Sequence, residues 1–165
     1  MSTSRIQRVS VGLALIAVAA AAGEKQKLPK VYVHIDPRVA QSQDSQKRRE
    51  LVDSVADIRE HLQKRRDVES AKDRFDADIL VTILDRRLEV NRSGATSYFG
   101  YTQTHYQSRY ILAYRLEARG TDFETETALA GAFVTWKRVA GVLAKDIEQW
   151  ARDHREDMLG ESPSP

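Results

Sequence analysis

The sequence contains no cysteine, and that single absence excludes disulfide scaffolds, thiolate zinc sites, cysteine nucleophiles and the lipid-bearing cysteine of a bacterial lipoprotein. Glycine and proline are sparse, at eight and four, which excludes collagen-like and low-complexity classes. Aromatic residues make up only 7% of the chain, so a cluster of them is informative wherever it falls. Net charge is small, at +2, and there is one long apolar run. What remains is 165 residues with 41% hydrophobic and 30% charged side chains, enough for one globular domain.

The apolar run lies at the start. MSTSRIQRVSVGLALIAVAAAAG has Arg5 and Arg8, then an apolar stretch, then small residues, the three-part pattern of a secretory signal peptide. The 15 uncharged residues between Arg8 and Glu24 would span about 22 Å as a helix, short of a bilayer core of about 30 Å. A signal peptide over residues 1–22, cut near Ala22, is therefore expected, with no stable membrane anchor afterwards and a periplasmic or secreted location. Its removal takes Arg5 and Arg8 and no acid, so Lys+Arg falls from 26 to 24 against 24 Asp+Glu. A formally neutral chain lacks the net field that drives non-specific nucleic-acid binding, and no nucleic-acid partner is expected.

Residues 23–29 read as a linker, 30–157 as one domain and 158–165 as a disordered tail. Val31, Val33 and Ile35 alternate with Tyr32 and His34, a strand stopped at Asp36-Pro37. From about Asp44 to Arg66 the spacing becomes helical, with Leu51, Val55, Ile58 and Leu62 on one stripe. Ile79 to Leu84 is nearly continuously apolar, which suggests a central strand covered on both faces. Asn91-Arg92-Ser93-Gly94 supplies turn residues, with Gly94 able to take positive φ. Tyr110, Leu112, Tyr114 and Leu116 share one strand face, and Gly120 marks a second turn. Residues 78–133 thus read as a three-stranded antiparallel meander. Trp136, Val139, Ala140, Leu143, Ile147, Trp150 and Ala151 then define a helix with Thr135 as its N-cap, and Lys137, Arg138, Lys145, Asp146, Glu148 and Gln149 on its exposed face. The expected fold is α+β in the order β-α-β-β-β-α: a mostly antiparallel sheet of four or five strands with both helices on one face.

Chemistry-bearing motifs are few. His34, His61, His105 and His154 have no metal-ligand spacing and read as separate surface residues, so no metal or other cofactor is expected. The pairs Asp76/Asp78, Asp85/Glu89 and Glu124/Glu126 include i,i+2 strand acids that share a face, which leaves a small secreted hydrolase using paired carboxylates as an alternative. Arg86, Arg87, Arg115 and Arg119 stand ready to neutralise them across the sheet. No nucleophile elbow or phosphate-cradling loop occurs, and no catalytic residue is assigned. The basic groups Arg48-Arg49, Lys64-Arg65-Arg66 and Arg86-Arg87 are interleaved with acids and read as solvated helix or strand faces. A ligand-binding module with a cavity in a curved sheet is a further alternative, although few strands are visible for a barrel.

The candidate binding surface is the aromatic segment Tyr98, Phe99, Tyr101, His105 and Tyr106. Flat apolar planes interleaved with Thr102, Gln103, Thr104 and Gln107 suit contact with an envelope protein or a glycan. The same aromatics would also suit a packed hairpin, and Tyr110 is expected in the core.

Asp76-Ala77-Asp78-Ile79-Leu80-Val81-Thr82, set after a strand–helix unit and before a meander and closing helix, resembles small periplasmic α+β domains of cell-envelope assembly proteins. These include the amino-terminal domain of TolB-type proteins and the periplasmic domain of curli-secretion lipoproteins. The chain is also similar to exported bacterial proteins that end in a Trp-anchored helix. The resemblance implies a non-catalytic envelope or secreted module and carries over no catalytic residue.

Overall fold

The computed structural model describes residues 27–41 and 44–159. The signal peptide expected over residues 1–22, the cut expected near Ala22 and the last six residues lie outside the described residues. The elements are β1 (Lys30–Ile35), α1 (Pro37–Ala40), α2 (Ser45–Leu62), β2 (Glu69–Ser70), β3 (Ile79–Tyr98), β4 (Tyr101–Ala118), β5 (Thr121–Ala130), α3 (Trp136–Asp153) and α4 (Arg155–Leu159). They form one five-stranded mixed sheet in the order β2-β1-β3-β4-β5. β1 lies parallel to β2 and β3, whereas β3, β4 and β5 form the antiparallel meander. The expected α+β class, strand number and element order hold, with β2, α1 and α4 as short additions.

Local chemistry sets the boundaries. Pro37 cannot extend a ladder, and Asp36 turns its carboxylate onto the Arg38 N–H at 2.7 Å, so β1 becomes the turn of α1. Asp44 caps α2 by accepting from the Lys47 N–H at 2.9 Å, and Thr135 caps α3. The helix α2 closes at Leu62, four residues before the expected end, because its apolar stripe ends there and Gln63 forms the C-cap. α4 carries the folded chain to Leu159 with Met158 buried, two residues beyond the boundary at 157 drawn from the sequence.

The core lies between the helices and one sheet face. Leu51, Val55, Ile58 and Leu62 of α2 and Val139, Ala140, Leu143 and Ile147 of α3 pack on Val31, Val33, Ile79, Val81, Ile83, Leu112, Tyr114 and Leu116. The central place of β3 is as expected, but cover on both faces is not. Leu80 and Leu84 are only half-buried, on a strand whose alternate residues Ile79, Val81 and Ile83 alone join the core. Among the described residues β2 and β5 are the two edges of the sheet, and its strands do not close into a barrel.

Two side chains assigned to exposed helix faces instead lock the helices together. Glu148 is buried, and its carboxylate accepts from the backbone N–H groups of Arg66 at 3.1 Å and Asp67 at 3.4 Å, and from Arg65 Nη1 at 3.4 Å. It fastens α3 to the chain leaving α2. His61 lies over Gly141, whose missing Cβ leaves room for the imidazole; an added Cβ would meet the ring at 3.1 Å. The same ring lies 3.1 Å from the Lys137 carbonyl. Among the described residues no helix is long and apolar enough to cross a membrane.

Candidate functional site

β1 stops opposite Ile83 and β5 stops opposite Arg109, whereas β3 and β4 pair onward to Tyr98 and Tyr101. The two arms therefore leave the body as a bare ribbon. Eight residues, Asn91 to Tyr98, carry it about 26 Å at roughly 3.3 Å per residue. The expected turn at Asn91–Gly94 is not one: these residues lie inside β3, and Gly94 does not adopt positive φ. The register shifts between Arg92 and Gly94, so Ser93 forms a bulge. Turn-prone residues have supplied an irregularity that twists the ribbon rather than an end to it. From Ser93 to Ser108 the chain bears no Asp, Glu, Lys or Arg, in a protein that is 30% charged.

The reversal comes at Phe99-Gly100, with φ of 47° and 81°. Positive φ at both central residues is the type I′ geometry that matches the twist of the flanking strands. Glycine adopts it freely. Phenylalanine pays about 1 kcal/mol for the left-handed region, where Asn or Asp is preferred. Yet Phe99 is 85% exposed, so the fold gains no burial in return. Its ring meets Tyr98 edge-on, with centroids 4.5 Å apart.

Register and alternation divide the aromatic set. Tyr98 faces Tyr101 across the last rung, and His105 shares the β4 face of Tyr101. Tyr98 is 73% and Tyr101 82% exposed. His105 Nε2 lies 2.9 Å from Thr96 Oγ1, and the Ser97 and Thr102 hydroxyls are 3.1 Å apart. Tyr106 points to the opposite face, the side of the helices, where exposed Leu88 and Val90 lie along β3. The five residues are thus a tip with two faces. Tyr110, as expected, turns inward and meets Trp136 edge-on at 5.0 Å.

The root of the ribbon is held by two arginines that point opposite ways. Arg86 lies under α2, with its guanidinium 4.2 Å from the Trp136 ring centroid and Nη1 donating to the Glu50 carbonyl at 2.7 Å. Burial lowers its pKa. Arg87 lies on the open sheet face between Glu126 at 2.6 Å and Glu89 at 3.3 Å, while Arg109 bridges the same two acids at 3.6 and 3.9 Å. The hydrogen bonds that Arg87 donates to Glu126 and Glu89 raise its pKa. Asp85 pairs with Lys47 at 3.0 Å, and Glu124 with Arg115. Asp76 pairs with the Lys30 ammonium at 2.6 Å and Asp78 accepts from the Lys30 backbone N–H at 2.9 Å, so each acid named from the sequence has a cationic or N–H partner. The arginines among these were legible as partners in the sequence; the buried Ile111, in register with Arg87 and Ala128, was not.

The remaining motifs are dispersed. Lys64 pairs with Glu60 and Arg65 with Glu148, so two of the three cations in the basic triplet are taken up by acids. His34 lies 3.0 Å from Thr82 Oγ1, and His154 stacks on Trp150 at 4.4 Å. Among the described residues no three potential metal ligands gather together.

No family model matches the chain, nor does any curated protein sequence. Among solved structures it is similar to a minor lipoprotein from Acinetobacter baumannii, at 14% identity and a TM-score of 0.40, covering 77% of this chain and 94% of that one. It is similar to the rare lipoprotein B from Shewanella oneidensis, at 14% identity and a TM-score of 0.37, covering 79% and 93%. A third is an uncharacterized lipoprotein B from Nitrosomonas europaea, at 11% identity and a TM-score of 0.41, covering 82% and 79%. None of the three is described as a TolB-type or curli-secretion protein.

Proposed function

We propose that this chain is an exported, non-catalytic binding module of the cell envelope that captures an envelope protein or glycan with the tip of the β3–β4 ribbon. Tyr98, Phe99 and Tyr101 make the contact, and His105 and Tyr106 extend it along the two faces. The observation that carries the reading is Phe99: a bulky aromatic occupies a left-handed turn position and stands in water. Local strain without compensating burial points to a role outside the folded chain. Export is supported by the leader pattern of residues 1–22. Rigid rings bring large contact area at small entropic cost, which suits a tip whose partner supplies the missing burial.

Site-specific photo-crosslinking in the host envelope tests the assignment. A benzophenone side chain in place of Tyr101 is expected to yield one dominant adduct, and the same group in place of Glu124, on the open sheet face, none. Equal adducts at both positions, or none at Tyr101, would refute the tip as the contact.

A further inference from the structure

The ribbon leaves polypeptide backbone without a partner. Among the described residues, β3 has β4 on one side only beyond Ile83. The Lys47–Asp85 pair and the Arg86 bond to Glu50 bring the start of α2 over the first residues of this edge. From Val90 to Tyr98 every residue of β3 is exposed. Such an edge presents outward N–H and C=O groups at about every second residue, and proteins normally guard it with lysine, proline or a cover. β3 has no lysine and no proline, and after Arg92 no charge.

The chemistry of the edge selects its occupant. Hydrocarbon cannot satisfy open backbone groups, so the ribbon is not built to enter a bilayer. Between Arg92 and Arg109 there is no cation to hold a phosphate backbone. An extended polypeptide does match, because its own edge carries the same groups at the same spacing. A two-stranded ribbon is also marginal in water, and added strands stabilise it.

We infer that the occupant is a second copy of this chain: Val90–Ser97 pairs antiparallel with the same edge of its partner, giving a four-stranded ribbon about a two-fold axis. The bulge at Ser93 leaves Val90 and Arg92 on the same sheet face as Ala95 and Ser97, so pairing across the edge sets Val90 opposite Ser97 and Arg92 opposite Ala95, with the axis between Ser93 and Gly94. The one charged residue of each edge thus meets an uncharged one, and like charges do not oppose. A Cβ built at Gly94 would meet nothing within 4 Å, so the backbones approach there without obstruction. Without residues 1–22 the copies carry 24 charges of each sign and do not repel through net charge. The pairing uses main chain and leaves the outer faces of Tyr98 and Tyr101 free for the tip contact.

Sedimentation of the processed chain recovered from an exporting host, over about 1 to 100 µM, is expected to show a reversible monomer–dimer equilibrium. Amide exchange should slow with concentration at residues 90–97 and stay constant at 101–108. Ala95→Lys sets a cation against Arg92 at both ends and should weaken the dimer about tenfold, whereas Ala95→Glu should preserve or tighten it. A monomer throughout that range, protection at 101–108 instead, or equal weakening by both substitutions overturns the inference. Protection of 90–97 by a different envelope polypeptide, with no dimer, overturns the choice of occupant.

Discussion

Phe99 sets the balance between stability and contact at the scale of one residue. Asparagine fits the left-handed position better, so Phe99→Asn should stabilise the protein by about 1 kcal/mol while weakening partner capture. Chemical denaturation and capture, measured on the same preparation, check both halves; a variant that loses stability would show that the ring is packed. The sequence marked the aromatic segment because seven per cent aromatics leave few such clusters. It did not distinguish exposed rings from packed ones, since Tyr98 and Tyr110 sit in similar alternating runs. What separates them is distance from the helices: Trp136 reaches Tyr110, whereas the ladder carries Tyr98 past the ends of β1 and β5. Glu148 was equally opaque, because its burial depends on backbone N–H groups about eighty residues earlier in the chain.

Among elements, the pairing of α2 with α3 rests on a close approach and a charge clasp. Gly141 costs helix propensity of about 1 kcal/mol relative to alanine, and the room it leaves is taken by His61. Gly141→Ala should therefore stabilise the His61→Ala background by about 1 kcal/mol and the native background by clearly less, a coupling that a double-mutant cycle measures. Equal gains in both backgrounds would mean that the ring moves aside freely. Glu60 accepts from Lys137 at 2.7 Å and from Lys64 at 2.6 Å, and these ammonium groups hold its carboxyl down from 4.5 to about 2. A carboxyl depressed in the folded state contributes stability above its unfolded pKa and loses it as pH falls through the folded value. The stability difference between the native chain and Glu60→Gln should thus be constant above about pH 4.5 and shrink towards zero near pH 2; a difference independent of pH across that window would contradict the clasp. The helices were legible because apolar spacing and caps act locally. The length of the hairpin was not, because Asn91–Gly94 carries the composition of a turn and the register that makes it a bulge is set by β4.

For the whole molecule, the division of labour is between a packed body and a projecting ribbon. One sheet face is sealed by the helices, and the other carries an arginine–carboxylate lattice that occupies the acids. The α+β class and element order followed from periodicity, since each element buries one stripe and the strand–helix–meander sequence admits few arrangements. The projection did not, because it follows from where β1 and β5 stop rather than from anything within β3. The central claim is that the tip serves contact and not folding. Replacing Tyr98, Phe99 and Tyr101 together by serine tests it most directly, with thermal unfolding and partner capture followed on the same protein. The account predicts that capture is lost while the melting temperature moves by less than about 4 °C, the shift expected for roughly 1 kcal/mol. Retained capture, or a collapse in melting temperature, would contradict it.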